Sequence, residues 1–191
     1  MPNYLIHKPY GYISQFISNE TKRKNKKLLG ELYDFPEGIM AIGRLDEDSE
    51  GLLLLTTDGK LSEKIRSKSI EKEYYAQVDG IITSEAIEKL QNGLEIGILG
   101  KRFFTDKCKA SIIDDPNFPK RTVPIRMHRP TSWVSITLTE GKLRQVRKMT
   151  AAVGFPTLRL VRVRIGGLVI IELESGKVEL IENSFESILG K

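Results

Sequence analysis

The chain has a single cysteine, Cys108, among its 191 residues. One thiol cannot form an intrachain disulfide, and a cysteine-rich metal site is excluded as well. A reducing compartment fits that usage. Long apolar runs are also missing. The longest candidate, residues 165–171, falls far short of the roughly 20 residues that span a bilayer as a helix. The amino terminus reaches His7, Lys8 and Pro9 without an apolar leader-like stretch. There is no internal repeat and no low-complexity tract. With 40% hydrophobic and 29% charged residues, the composition suits one globular domain with a proper buried core. The expectation is a cytoplasmic monomer with no membrane association.

Neither sign of charge is in large excess: 30 Lys and Arg stand against 25 Asp and Glu, a formal charge of +5. Their placement is uneven, which matters more for binding than the total. Lys22, Arg23, Lys24, Lys26 and Lys27 form one block, and Lys120, Arg121, Arg126 and Arg129 a second. Lys142, Arg144, Arg147 and Lys148 form a third, followed by Arg159, Arg162 and Arg164, whereas the stretch from Glu172 onward is acidic. Such clusters suit a polyanionic partner, nucleic acid first, although solvated protein faces produce the same pattern.

Short strands are expected at residues 4–7 and 12–17, joined into a hairpin by Lys8-Pro9-Tyr10-Gly11. Residues 18–27 are polar and lack an apolar face, which predicts a loop before a short helix at residues 28–33. Leu52-Leu53-Leu54-Leu55 reads as a strand buried on both faces. Asp58-Gly59 closes a turn, Leu61 and Ile65 with the charges between them suggest a helix, and residues 75–78 return to strand character. Thr83 or Ser84 caps a further helix that Gly93 ends. Residues 114–130 contain four prolines and no period, so they form a long connection. Val134, Ile136 and Leu138 alternate with Trp133, Ser135 and Thr137 as one core-facing strand. Leu143, Val146, Thr150 and Val153 recur at helical spacing, with Arg144 and Lys148 pointing away and Arg147 at the margin of the stripe. In the strand from Leu158 the alternation changes phase near Leu160, which suggests a bulge. The mixture of hairpins and helices indicates an α+β fold with a largely antiparallel sheet.

The densest chemistry is Asp46, Glu47, Asp48, Ser49 and Glu50, directly before Gly51. A calcium loop would start with such a pattern, but its bidentate acid would fall at Thr57, which cannot supply one. A solvated acidic turn is the bland alternative. Asp46 nevertheless follows Arg44-Leu45 and precedes a glycine and four leucines, which puts the first carboxylate at the edge of the core. An ionised carboxylate there needs a cation or hydrogen-bond donors to compensate it.

The run from Gly43-Arg44-Leu45-Asp46 through Glu50-Gly51-Leu52-Leu53-Leu54-Leu55-Thr56 resembles the signature around the catalytic aspartate of the ribosomal pseudouridine synthases. Lys72-Glu73-Tyr74 resembles the second motif of that family, and the run from Glu140-Gly141-Lys142 to Met149 resembles the third. Leu158-Arg159-Leu160-Val161-Arg162 resembles the short one after it. The motifs come in the family's order and span nearly the whole chain. Most members of this branch carry a small RNA-binding domain of the S4 type first, whereas Tyr4 to Gly11 is similar to the opening of the catalytic domain itself. The expectation is a single catalytic domain over residues 1–191, with approximate lobes 1–70 and 71–191 and a central cleft in a mixed, mostly antiparallel sheet.

The resemblance implies an isomerase that flips a uridine out of ribosomal RNA, the large-subunit RNA in particular, and turns its base without cofactor or metal. The bond from ribose to N1 of uracil breaks, and the base is rejoined through C5. One carboxylate at the sugar serves either as a nucleophile at C1′ or as a base at C2′. Asp46 is the catalytic candidate. By resemblance, Arg147 is its counter-charge, and Tyr74 stacks on the uracil and assists proton removal from C5. A strand tyrosine is otherwise core packing, and Arg147 otherwise an ordinary RNA contact. Arg44, Lys72, Lys142, Arg144 and Arg162 are the RNA-binding candidates, and Lys72 also admits a structural role. A non-catalytic RNA-binding or ribosome-assembly protein of the same fold is the competing reading.

Overall fold

The computed structural model describes residues 2–17, 26–66, 70–121, 123–125, 127–170, 173–181 and 185. Lys22, Arg23, Lys24 and Arg126, with most of the loop expected at residues 18–27, lie outside the described residues. The chain divides into two compact units: the first comprises residues 1–72 and 161–191, the second residues 73–160.

The first unit is built on β5 (Glu50–Thr56), buried at every position. Its four leucines are completely shielded, and each contributes roughly 1.5–3 kcal/mol by leaving water. β1 (Asn3–Lys8) runs antiparallel to β5, from Asn3 opposite Thr56 to Lys8 opposite Gly51. β13 (Val178–Ile181) pairs with the other edge of β1. The second edge of β5 is shared: β4 (Met40–Ile42) takes its C-terminal end, and β11 (Thr157–Ile165) lies parallel to its start, with Arg162 opposite Gly51. β12 (Leu168–Val169) folds back onto the end of β11. The helix α1 (Gly59–Arg66) starts where Asp58 Oδ1 accepts the N–H groups of Lys60 and Leu61.

The expected N-terminal hairpin does not form. β1 already has partners on both edges, and β2 (Tyr12–Ile13) pairs in parallel with β3 (Lys27–Leu28) instead. The helix expected at residues 28–33 contracts to a 3₁₀ turn at Leu29–Glu31, fixed by Glu31 Oε1 accepting the Leu28 N–H at 2.7 Å.

In the second unit β6 (Lys72–Asp79), β10 (Thr131–Leu138) and β9 (Lys109–Ile113) are adjacent strands. Their apolar face packs on α2 (Ser84–Asn92) and α3 (Gln145–Ala152) through Ala76, Val78, Leu90, Ile136 and Met149. Thr83 caps α2 by accepting the Ala86 N–H, and Gly93 ends it at φ +80. A side chain at Gly93 would meet the carbonyl oxygen of Thr105 at 2.4 Å. β7 (Glu95–Ile98) and β8 (Lys101–Phe104) form a separate hairpin. Residues 114–130 contain no regular element among those described.

Two periodicity readings change. Leu143 is 51% exposed and lies in the turn before α3, while Met149, fully buried, completes the inner face. β11 runs without interruption, with residues 159–163 all buried. Its phase change has a simple origin: Leu160 belongs to the core of the second unit, and Val161 begins the segment that packs into the first.

Candidate active site

The acidic turn leads directly into β5. Leu45 is buried, and Ser14 ties it down twice: Ser14 Oγ accepts the Leu45 N–H at 2.9 Å and donates to the Leu45 carbonyl at 2.8 Å. Gly11 N–H donates to the Glu47 carbonyl at 2.8 Å, and Ser49 N–H closes the turn on the Asp46 carbonyl at 3.0 Å. The segment at residues 9–14 thus braces the turn from outside. Asp46 is half-buried, Glu50 is 3% exposed, and Glu47 is exposed and paired with Lys26 at 3.3 Å. The four acids therefore occupy unequal environments.

Lys8 carries the compensating charge. Its side chain is completely buried, and its ammonium donates to the carbonyls of Pro9 and Tyr12. Burial lowers its pKa to about 8, against the opposing fields of Glu50, Asp48, Asp46 and Glu47. An ammonium buried beside these carboxylates offsets part of their charge.

On the neighbouring strands, Arg162 is 5% exposed, and its Nε donates to the Leu52 carbonyl at 2.7 Å. Its backbone comes so close to Gly51, at φ +105, that a Cβ there would lie 2.3 Å from the Arg162 carbonyl oxygen. Lys72, at the start of β6, is half-buried with its pKa lowered to about 8, by burial first and by Arg162 second. Arg44 is exposed beside the turn.

The second unit carries the other candidates. Tyr74 is half-buried, with part of its ring packed on the core. Arg147 is half-buried on α3 and donates through Nη1 to the Thr157 carbonyl at 3.4 Å. Lys142 and Arg144 are exposed in the turn before α3, where Arg144 has the left-handed conformation, φ 53 and ψ 35.

Residues 3–152 match the family described as RNA pseudouridylate synthase. Ribosomal large subunit pseudouridine synthase E of Vibrio vulnificus is 42% identical over 178 residues, which cover 91% of this chain and 72% of that protein. The enzyme of the same name from Xanthomonas axonopodis pv. citri is 40% identical, covering 85% and 84%. The chain belongs to the RNA pseudouridylate synthase family. A crystal structure of a pseudouridylate synthase superposes on 99% of the chain and 74% of its own length, with a TM-score of 0.79 at 26% identity. This pseudouridine synthase is therefore an isomerase, and the α+β fold inferred from element order is the family's fold.

Within this synthase, Arg44, Asp46, Lys72 and Arg162 all belong to the first unit, as do two residues that sequence reasoning missed, Lys8 and Ser14. Lys8 had one signal: a cation closing the otherwise core-directed run Tyr4-Leu5-Ile6-His7. Ser14 had none, because a serine after a short strand is unremarkable until its partner 31 residues away is known. Tyr74, Lys142, Arg144 and Arg147 belong to the second unit.

Proposed function

We propose that this synthase converts a uridine of large-subunit ribosomal RNA to pseudouridine, with Asp46 as the reacting carboxylate. The observation that carries the assignment is the double tether of Ser14 to Leu45, which fixes the backbone immediately before Asp46. Only Asp46 among the four acids directly follows that anchored, buried residue. Its half-burial near the Lys8 ammonium suits a carboxylate held in one orientation at the ribose.

The substrate class rests on the names of the relatives, which are large-subunit ribosomal RNA synthases. Tyr74 is the proposed stacking ring for the flipped uracil, a contact of about 1–3 kcal/mol that offsets the loss of base stacking. Arg147 is the proposed counter-charge to the carboxylate. Arg44, Lys72, Lys142, Arg144 and Arg162 are the proposed RNA contacts. A cytoplasmic setting follows from that substrate, and among the described residues no helix is long and apolar enough to cross a membrane.

The test is tritium release from C5-labelled uridine in protein-free large-subunit ribosomal RNA. Asp46→Asn should abolish release while RNA affinity stays within a few fold of the parent. Turnover retained in that variant would remove Asp46 from the mechanism.

A further inference from the structure

The turn before α3 is held far more elaborately than an exposed turn needs. Gln145, 4% exposed, binds both ends of the Lys142 peptide: its Oε1 accepts the Lys142 N–H at 2.9 Å, and its own N–H donates to the Lys142 carbonyl at 3.1 Å. The Gln145 Nε2 donates in turn to Glu140 Oε1, which also accepts the Asp106 N–H at 2.9 Å. Glu140 is 4% exposed, and its Oε2 is buried without a hydrogen-bond partner. Arg144, between these anchors, is left-handed, a conformation that a non-glycine residue adopts only under constraint. At the front of the turn the Lys142 ammonium sits 4.9 Å over the ring of Phe103 on the β7–β8 hairpin.

A buried carboxylate with one unsatisfied oxygen and a strained backbone both oppose folding. The residues they hold in place, Lys142 and Arg144, are exposed cations. Both are exposed on the surface, a position that suits contact with a polyanion. Cations already fixed in place lose less conformational freedom on binding than mobile ones.

We propose that Glu140 and Gln145 are positioning residues, which clamp the turn at residues 141–144 so that Lys142 and Arg144 meet backbone phosphates of the substrate RNA in a preset geometry. This rests on the reading of the chain as an RNA-binding synthase, and deepens it by naming what orders one of its phosphate contacts. Phe103 seats the Lys142 ammonium, and the backbone N–H of Asp106 ties the connection after β8 to the same carboxylate.

The experiment uses the full-length protein with protein-free large-subunit ribosomal RNA, measuring affinity over a range of KCl concentrations and tritium release in parallel. Gln145→Ala should raise Kd and KM about tenfold, with kcat at saturating RNA within about twofold of the parent. The slope of log affinity against log salt should fall by about one to two, as phosphate contacts are lost. Added to a Lys142→Ala, Arg144→Ala background, the same change should have less than a twofold effect. Gln145→Glu keeps the shape and sets a carboxylate against Glu140, so it should act in the same direction even if the alanine variant does not fold. A fall in kcat at unchanged KM, or an effect that multiplies fully with the double variant, would overturn the clamp. The ribosomal RNA reading fails separately: the parent would then release no tritium from this RNA, while the salt slopes would still report on the clamp.

Discussion

Ser14 and Leu45 form a closed two-bond unit in which one hydroxyl satisfies both the N–H and the C=O of the residue that precedes the candidate nucleophile or base. Ser14→Ala leaves both groups buried and unpaired, costing about 2 kcal/mol of stability. A carboxylate displaced by even an ångström loses on the order of 100-fold in rate. The expected outcome is a kcat reduced on that scale, with KM changed by less than threefold, read from saturation curves. An unaltered kcat would show that Asp46 does not depend on this tether.

Lys8 should make stability depend on pH at alkaline values. Its pKa is about 8 when folded and 10.5 when free, so between these values the unfolded chain binds the additional proton. Stability therefore rises with pH across this window and is lost as pH falls through 8. The full difference is on the order of 3 kcal/mol. Lys72 shifts the same way, so the comparison is between the parent and Lys8→Met. Denaturant midpoints at pH 7.5 and 10 should rise more steeply in the parent, and parallel curves would contradict the burial of a charged Lys8.

Gly51 and Gly59 offer opposite outcomes for one substitution. At Gly51 a methyl group would lie 2.3 Å from the Arg162 carbonyl oxygen, on a backbone at φ +105, whereas at Gly59 nothing lies within 4 Å. Gly51→Ala should destabilise the protein by about 4 kcal/mol or more. Gly59→Ala, at the start of α1, should be neutral or stabilising by up to about 1 kcal/mol. Thermal unfolding of the two variants distinguishes them directly.

Phe118 fastens the irregular stretch at residues 114–130. Its ring lies 6.2 Å from that of Tyr75 and 5.7 Å from that of Trp133, with the Arg159 guanidinium 5.5 Å from its centre. Phe118→Ala should cost about 2 kcal/mol and loosen the stretch so that trypsin cuts faster after Lys120, already exposed, and Arg121, half-buried. Faster cleavage there, with the remainder of the digestion pattern kept, is the expected result. Unchanged cleavage would mean that other contacts, such as Arg129 on Asp79 at 2.9 Å and Gln77 on Met127 at 3.8 Å, fasten the stretch without Phe118.

Elements stabilised by neighbours in sequence were legible in advance: the four leucines of β5, the Thr83 cap and the core-facing Val134, Ile136 and Leu138 of β10 reappear, although Trp133 and Thr137 on the other face of β10 are buried as well. The β1–β2 hairpin was lost because Lys8-Pro9-Tyr10-Gly11 describes a turn without saying which strands flank it, and β1 finds better partners far away. Leu143 fitted a helical stripe by spacing, yet the helix starts only at Gln145, whose side chain is needed in the turn. The same limit applies to the candidate site. The acidic run was visible as composition, whereas the buried ammonium and the hydroxyl that hold it come from residues that the fold alone brings near.

The pairing of β1 also sets an order in time. Residues 3–8 are synthesised well before both of their partners: one edge of their strand waits for β5 and the other for residues 178–181, more than 170 residues later. The second unit, continuous from residue 73 to residue 160, has its whole sequence available well before then. A nascent chain of this synthase therefore holds the turn at residues 141–144 within an already complete segment, while the strand beside its acidic turn still lacks a neighbour.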